Sequence, residues 1–201
     1  LALVPVILLL SLLQAAANIR GGEIAPRIMY ASVNHNGALY ILGGWDGASL
    51  LYNDVLRSED GVTWQTINAN APWRARTYFD AVSWRGRIWI VGGFVYEAPD
   101  NVLGDVWSSA DGVDWRQEAT DAPWEDREHY RLIVFQDALY LMGGITYLSP
   151  SPDTPYRVFG DVWRSSDGIT WERLPDPPWA ARRGFGAAIL NGALTIYGGL
   201  D

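Results

Sequence analysis

The chain writes one eleven-residue phrase three times: DVLRSEDGVTW from Asp54 to Trp64, DVWSSADGVDW from Asp105 to Trp115 and DVWRSSDGITW from Asp161 to Trp171. Two further markers recur in fixed order around it. Apolar runs end in Gly-Gly at Gly43-Gly44, Gly92-Gly93, Gly143-Gly144 and Gly198-Gly199, whose first glycines stand 49, 51 and 55 residues apart. Pro-Trp-x-x-Arg recurs at Pro72 to Arg76, Pro123 to Arg127 and Pro178 to Arg182, with Arg27 in Ala-Pro-Arg as the first-unit equivalent. Self-similarity at this period means one supersecondary unit stacked on copies of itself, because a single unit cannot bury its apolar face alone.

Each unit reads as four short strands. Strand A is the stretch after the arginine, Tyr78 to Trp84 in the second unit, and a tight turn such as Arg85-Gly86 or Asn191-Gly192 leads into strand B, which ends in Gly-Gly. Strand C carries Asp-Val-Trp or its equivalent, and strand D opens at the Trp that closes the phrase. Gly61, Gly112 and Gly168 follow an Asp where the C–D connection requires positive φ. No unit shows a 3.6-residue apolar period, and 21 Gly with 11 Trp in 201 residues suit many turns around an aromatic core. The fold class is all-β.

These markers together resemble kelch repeats, a family whose fold is a β-propeller with one four-stranded antiparallel blade per repeat. The resemblance implies blades at about 27–73, 76–124 and 127–179 and a half blade at 182–201, where the unit stops after strand B. About three and a half blades make an incomplete propeller, with further blades expected elsewhere. The phrase also resembles the Asp-box of sialidase-like propellers, with Ser58, Asp60, Gly61 and Trp64, then Ser109, Asp111, Gly112 and Trp115, then Ser165, Asp167, Gly168 and Trp171. An Asp at such a turn either clasps backbone N–H groups about two residues on or binds a divalent cation. One carboxylate per turn is too few for a cation, so a structural clasp is expected, with the Trp packed between sheets.

Residues 1–17 read as a secretory signal peptide, an apolar run from Leu1 to Leu13 ending in Ala15-Ala16-Ala17. The expected mature chain, 18–201, is therefore extracytoplasmic and free of the membrane. With 15 Lys and Arg against 23 Asp and Glu, its formal charge of −8 repels nucleic acid. Absence of Cys removes disulfides, thiolate metal sites and a Cys nucleophile.

The A–B and C–D turns are short and uniform, whereas the B–C loops grow from Trp45–Asn53 through Phe94–Gly104 to Ile145–Gly160. Variable loops on a rigid scaffold carry recognition, so the working surface is expected where the B–C loops and D–A links emerge. Tyr96 in the second loop and Tyr147, Tyr156 and Arg157 in the third suit a sugar or a peptide, although the same aromatics can simply cover a sheet edge. Arg76, Arg127 and Arg182 offer either an anion-reading ring or, by their repetition, hydrogen bonds to carbonyls of the neighbouring blade.

Kelch-like copper oxidases require a cysteine-crosslinked tyrosine and two histidines; with no Cys and only His35 and His129, at opposite ends of their blades, that chemistry is excluded. Phosphate loops, zinc spacings and Ser-His-Asp signatures are absent, so no cofactor or metal is expected. Sialidase-type hydrolysis needs an arginine cluster, an activated Tyr and acid/base carboxylates, and no spacing ties these together. Sugar epimerisation or mutarotation stays open, with Glu97, Asp100, Glu125, Asp126 and Glu128 as carboxylates for an acid/base pair. The expectation is a binding module for carbohydrate or protein, the alternative a fragment of a carbohydrate-active enzyme.

Overall fold

The computed structural model describes residues 24–96, 101–148 and 155–201, and among these every regular element is a β-strand. The apolar leader therefore lies outside the described residues, as do Glu97 and Asp100. The first four-stranded sheet runs β1 (Ala31–His35), β2 (Ala38–Trp45), β3 (Leu51–Ser58) and β4 (Gln65–Asn68), each antiparallel to the next. The second repeats the order with β5 (Ala81–Trp84), β6 (Arg87–Phe94), β7 (Val102–Ser109) and β8 (Trp115–Ala119).

In the third, β9 (Arg131–Phe135) pairs with β10 (Ala138–Met142), β10 with β13 (Val162–Ser165), and β13 with β14 (Glu172–Arg173). Between β10 and β13 the chain forms a separate two-stranded ribbon, β11 (Ile145–Tyr147) with β12 (Tyr156–Val158). A final pair, β15 (Gly186–Leu190) and β16 (Ala193–Tyr197), repeats the first half of the pattern.

The sheets pack in chain order, with β1, β5, β9 and β15 in succession against one another. Strand β6 is buried at six consecutive positions because the second sheet has a neighbour on each face, which is why its sequence reads as a continuous apolar run. Ile88, Ile90, Val91, Leu42, Val55, Val106, Leu139 and Leu141 are fully buried in the shared core; each such side chain contributes about 1.5–3 kcal/mol relative to exposure. Tryptophans from the links close the gaps between sheets. Trp73 meets Trp115 edge-on at 5.8 Å, and Trp124 meets Trp171 at 4.6 Å.

Gly-Gly has a geometric cause. Gly92 and Gly93 have φ of 47° and 105°, and a Cβ on Gly92 would stand 2.7 Å from the Leu103 carbonyl oxygen and 3.1 Å from that of Arg127. Only glycine lets the link to the next repeat lie so close, and that link is hydrogen-bonded: Gly44 and Gly144 donate their N–H groups to the carbonyls of Arg76 and Arg182 at 2.9 Å.

Two expectations are adjusted. Strand A is shorter than Tyr78–Trp84, because Tyr78 takes φ 55° and cannot continue a strand. Strands B and C also run further into the expected loops, with Trp45 opposite Leu51 and Phe94 opposite Val102, so the third loop differs from the others by its added ribbon.

Candidate functional site

The repeated arginines are occupied. Arg76 donates through Nη1 and Nη2 to both carboxylate oxygens of Asp105, at 2.6 and 2.7 Å, and through Nη1 to the Gly92 carbonyl at 2.8 Å. Arg27 holds Asp54 and the Gly43 carbonyl in the same way, and Arg127 holds Asp161 and the Gly143 carbonyl. All three guanidinium groups are buried. Trp107 and Trp163 add an indole N–H to the same carboxylates, and burial, which raises Asp161, is outweighed by Arg127, leaving the carboxyl below its usual range. The carbonyls belong to each arginine's own repeat, not the neighbouring one. Arg182 reaches the Gly198 carbonyl at 2.8 Å and is more exposed.

The Asp-Gly turns are equally regular. In each, Asp60, Asp111 or Asp167 accepts the N–H groups two and three residues on at 2.7–3.0 Å, while Ser58, Ser109 or Ser165 accepts the glycine N–H at 2.8 Å and donates to the Asp. The N–H groups of Thr63 and Val62 hold Asp60 down at about 2. Burial raises Asp111 and Asp167, but their backbone donors outweigh it and both lie below the usual carboxylate range. Gly112 and Gly168 also lie against the previous sheet, where a Cβ would meet Tyr40 and Trp89. Trp115 donates its indole N–H back to the Gly112 carbonyl, Trp171 is buried, and Trp64 is half-buried beside β1 and β2. Among the described residues no group of three or more His, Asp or Glu side chains could hold a metal ion.

What does not repeat gathers elsewhere. The residue two places after each arginine has positive φ throughout: Met29 at 53°, Tyr78 at 55°, His129 at 54° and Gly184 at 60°. These positions are linked in series, Tyr78 N–H to Met29 O, His129 N–H to Tyr78 O and Gly184 N–H to His129 O, at 2.9–3.3 Å. A non-glycine residue held this way three times carries strain that the fold supports. His129 stacks on Tyr78 with ring centroids 4.0 Å apart, and both line an open cleft of about 170 Å³ together with Met29, Asp80, Arg131 and Gly184. In the cleft Asp80 accepts from Arg131 at 2.8 Å and from the Leu132 N–H at 2.9 Å. Burial raises Asp80, and Arg131 offsets this only in part.

Beside the cleft, Glu128 is 1% exposed and accepts the Tyr147 hydroxyl through Oε1 at 2.8 Å. Phe94 meets Tyr78, Tyr96 and Tyr147 edge-on at 6.4, 5.1 and 6.0 Å. Tyr156 pairs opposite Tyr147 in the ribbon and lies under the Arg183 guanidinium at 5.5 Å. Burial and then the Glu128 charge raise the phenols of Tyr78 and Tyr147; for Tyr96, burial comes first, then Tyr78 and Glu128. They therefore remain neutral hydrogen-bond donors, the opposite of what a tyrosinate nucleophile requires.

Of the candidates taken from the sequence, the structure brings Tyr96, Tyr147 and Tyr156 to this one rim. Arg157 alternates to the other face of the ribbon, where it pairs with Glu125 and lies over Phe159. Arg76 and Arg127 are committed inside the sheets. His35 is buried between the first two repeats, with Nδ1 2.8 Å from the Ser83 hydroxyl and Nε2 3.0 Å from the Ala110 carbonyl. Sequence reasoning did not single out Tyr78, Phe94 or Arg183, and it treated Glu128 and His129 as members of larger sets. Their signal was present as the positions beside constant markers where the residue type changes in every repeat. No protein-family model matches the chain, and no curated protein matches it.

Proposed function

We propose that the chain is an exported kelch-type β-propeller segment, with Asp-box turns, that binds a carbohydrate or a protein partner at the rim formed by the B–C and D–A connections. The sheet order and the succession of first strands support the propeller reading. One observation carries the functional reading: the repeated Arg, Asp and Trp side chains are engaged in holding sheets together, while the unrepeated aromatic and charged ones converge on the rim around Glu128. Half-exposed Tyr96 and Tyr156, at 53% and 50%, offer the flat faces on which sugars stack and protein interfaces anchor. The net charge of −8 disfavours nucleic acid as the partner.

Replacing Tyr96, Tyr147 and Tyr156 together by Ala tests this on a glycan array and in capture of partners from the source fluid. Binding should fall at least about ten-fold at unchanged fold, as loss of aromatic anchors does; unaltered binding places the surface elsewhere.

A second reading, part of an epimerase, mutarotase or glycosidase, is favoured by one contact, the Tyr147 hydroxyl on Glu128. Turnover of a sugar that is lost in Glu128→Gln would establish it.

A further inference from the structure

Buried polar atoms without a partner are rare in native folds, and each asks for a cause. Among the described residues they are four indole N–H groups, Asn101 Oδ1, Glu128 Oε2, His129 Nδ1 and Arg183 Nε. The last three sit at the rim already described; His129 Nδ1 does lie 3.2 Å from Glu128 Oε1, which also takes the Tyr147 hydroxyl, so Glu128 Oε2 is the one carboxylate oxygen in the set and the side of this carboxyl left without a donor. A solvent-excluded carboxylate oxygen is costly unless a donor reaches it.

The surroundings select the donor. Phe94 joins Tyr78, Tyr96 and Tyr147 by edge contacts, Tyr147 being the member that touches this carboxyl, and ring faces attract cations. The Glu128 charge is felt at all three tyrosines, and the whole chain is acidic. An anion is disfavoured here. A quaternary cation has no hydrogen to offer Oε2, so an N–H-bearing cation fits better.

Resting on the rim as the binding face, we propose that it receives a primary ammonium group, with Glu128 Oε2 as acceptor and tyrosine faces as walls. An amino sugar or a lysine side chain of a protein supplies this chemistry. Tyr96, the exposed member, packs against Phe94 and Trp45 and is the side chain placed to swing aside on entry. Arg183, over Tyr156 and near enough for its charge to be felt at Tyr147, sets a like charge beside the site and limits affinity.

The test titrates the full chain with glucosamine, N-acetylglucosamine, glucose, glucuronate, Nα-acetyl-lysine amide and its Nε-acetylated form, read by calorimetry and intrinsic fluorescence. At least one amine should bind, and acetylating or removing the amine should weaken binding by about ten-fold or more. Glu128→Gln should cause a similar loss at a Tm that does not fall, Tyr147→Phe a smaller one, and Arg183→Met should tighten binding a few-fold. The tighter amine identifies the source. Equal binding of glucose and glucosamine, or glucuronate binding lost in Arg183→Met, overturns the ammonium while leaving the rim as the site. Binding indifferent to all three substitutions overturns the rim as well. If no probe binds, the ammonium inference fails, and the rim is judged separately by the triple tyrosine variant.

Discussion

Every link between repeats sets a constant residue beside two that never recur. Arg27, Arg76, Arg127 and Arg182 are followed by Ile28-Met29, Thr77-Tyr78, Glu128-His129 and Arg183-Gly184. The backbone makes no such distinction: the first follower always bridges to the residue after Gly-Gly, and the second always has φ of 53–60°. Arg27, Arg76 and Arg127 are each locked to a carboxylate and a carbonyl of their own repeat, and Arg182 keeps the carbonyl bond, so the contact shared by all four accompanies the same path of the next two residues whatever their side chains. A constant anchor therefore frees its neighbours to differ, and three of them, Tyr78, Glu128 and His129, meet at the rim.

The sharpest way to break this contrast is to remove an anchor. Arg76→Met leaves Asp105 buried without its cation and should cost about 3–5 kcal/mol in urea unfolding. Arg182→Met, at the exposed equivalent, should cost no more than about 1 kcal/mol; similar losses at both would mean that burial is not what makes the anchor. Gly92→Ala forces a Cβ against the Leu103 carbonyl at a left-handed φ and should cost about 1–3 kcal/mol.

Asp111→Ala should lower Tm by about 2–4 °C, the scale of one lost turn clasp in a chain of this length. Asp60, Asp111 and Asp167 all titrate below the ordinary carboxylate range in the folded state. Their contribution is therefore complete above the unfolded pKa near 4 and is lost as pH falls through their lowered folded values, about 2 for Asp60. Acid unfolding of Asp111→Ala should accordingly converge on the parent chain as pH falls through the lowered folded value of Asp111; a Tm difference that persists at still lower pH would assign the turn's stability to something other than the carboxylate.

The anchors were legible because repetition exposes them. Three copies of Asp-Gly in one setting marked a turn clasp, and the hydrogen bonds of Asp60, Asp111 and Asp167 to N–H groups two and three residues on have the form expected from side-chain reach alone. The partner of the repeated arginine was not legible. Arg76 and Asp105 lie 29 residues apart and meet only because β6 carries Gly92 between them. The ribbon β11–β12 was likewise hidden, since three prolines between Ile145 and Gly160 read as irregular loop. The rim was half visible. Tyr96 and Tyr147 were found from loop variability, but Tyr78 and Glu128 lie in the links, and only the left-handed turn after each arginine directs them to the same place.

The smallest expected change tests the variable side of the contrast. Glu128→Gln keeps the side-chain shape, so Tyr147 still finds an acceptor at the retained oxygen. The enclosed, unpartnered oxygen becomes an amide NH2, a polar group without formal charge, whose enclosure opposes folding less than that of a carboxylate. Tm should therefore hold or rise, by no more than about 2–4 °C, in contrast to the large loss at Arg76 in the same class of link. A substitution that leaves stability intact and removes binding is the signature of a residue retained for its ligand. A fall in Tm comparable to that of Arg76→Met would instead make Glu128 another anchor and erase the difference between the two positions.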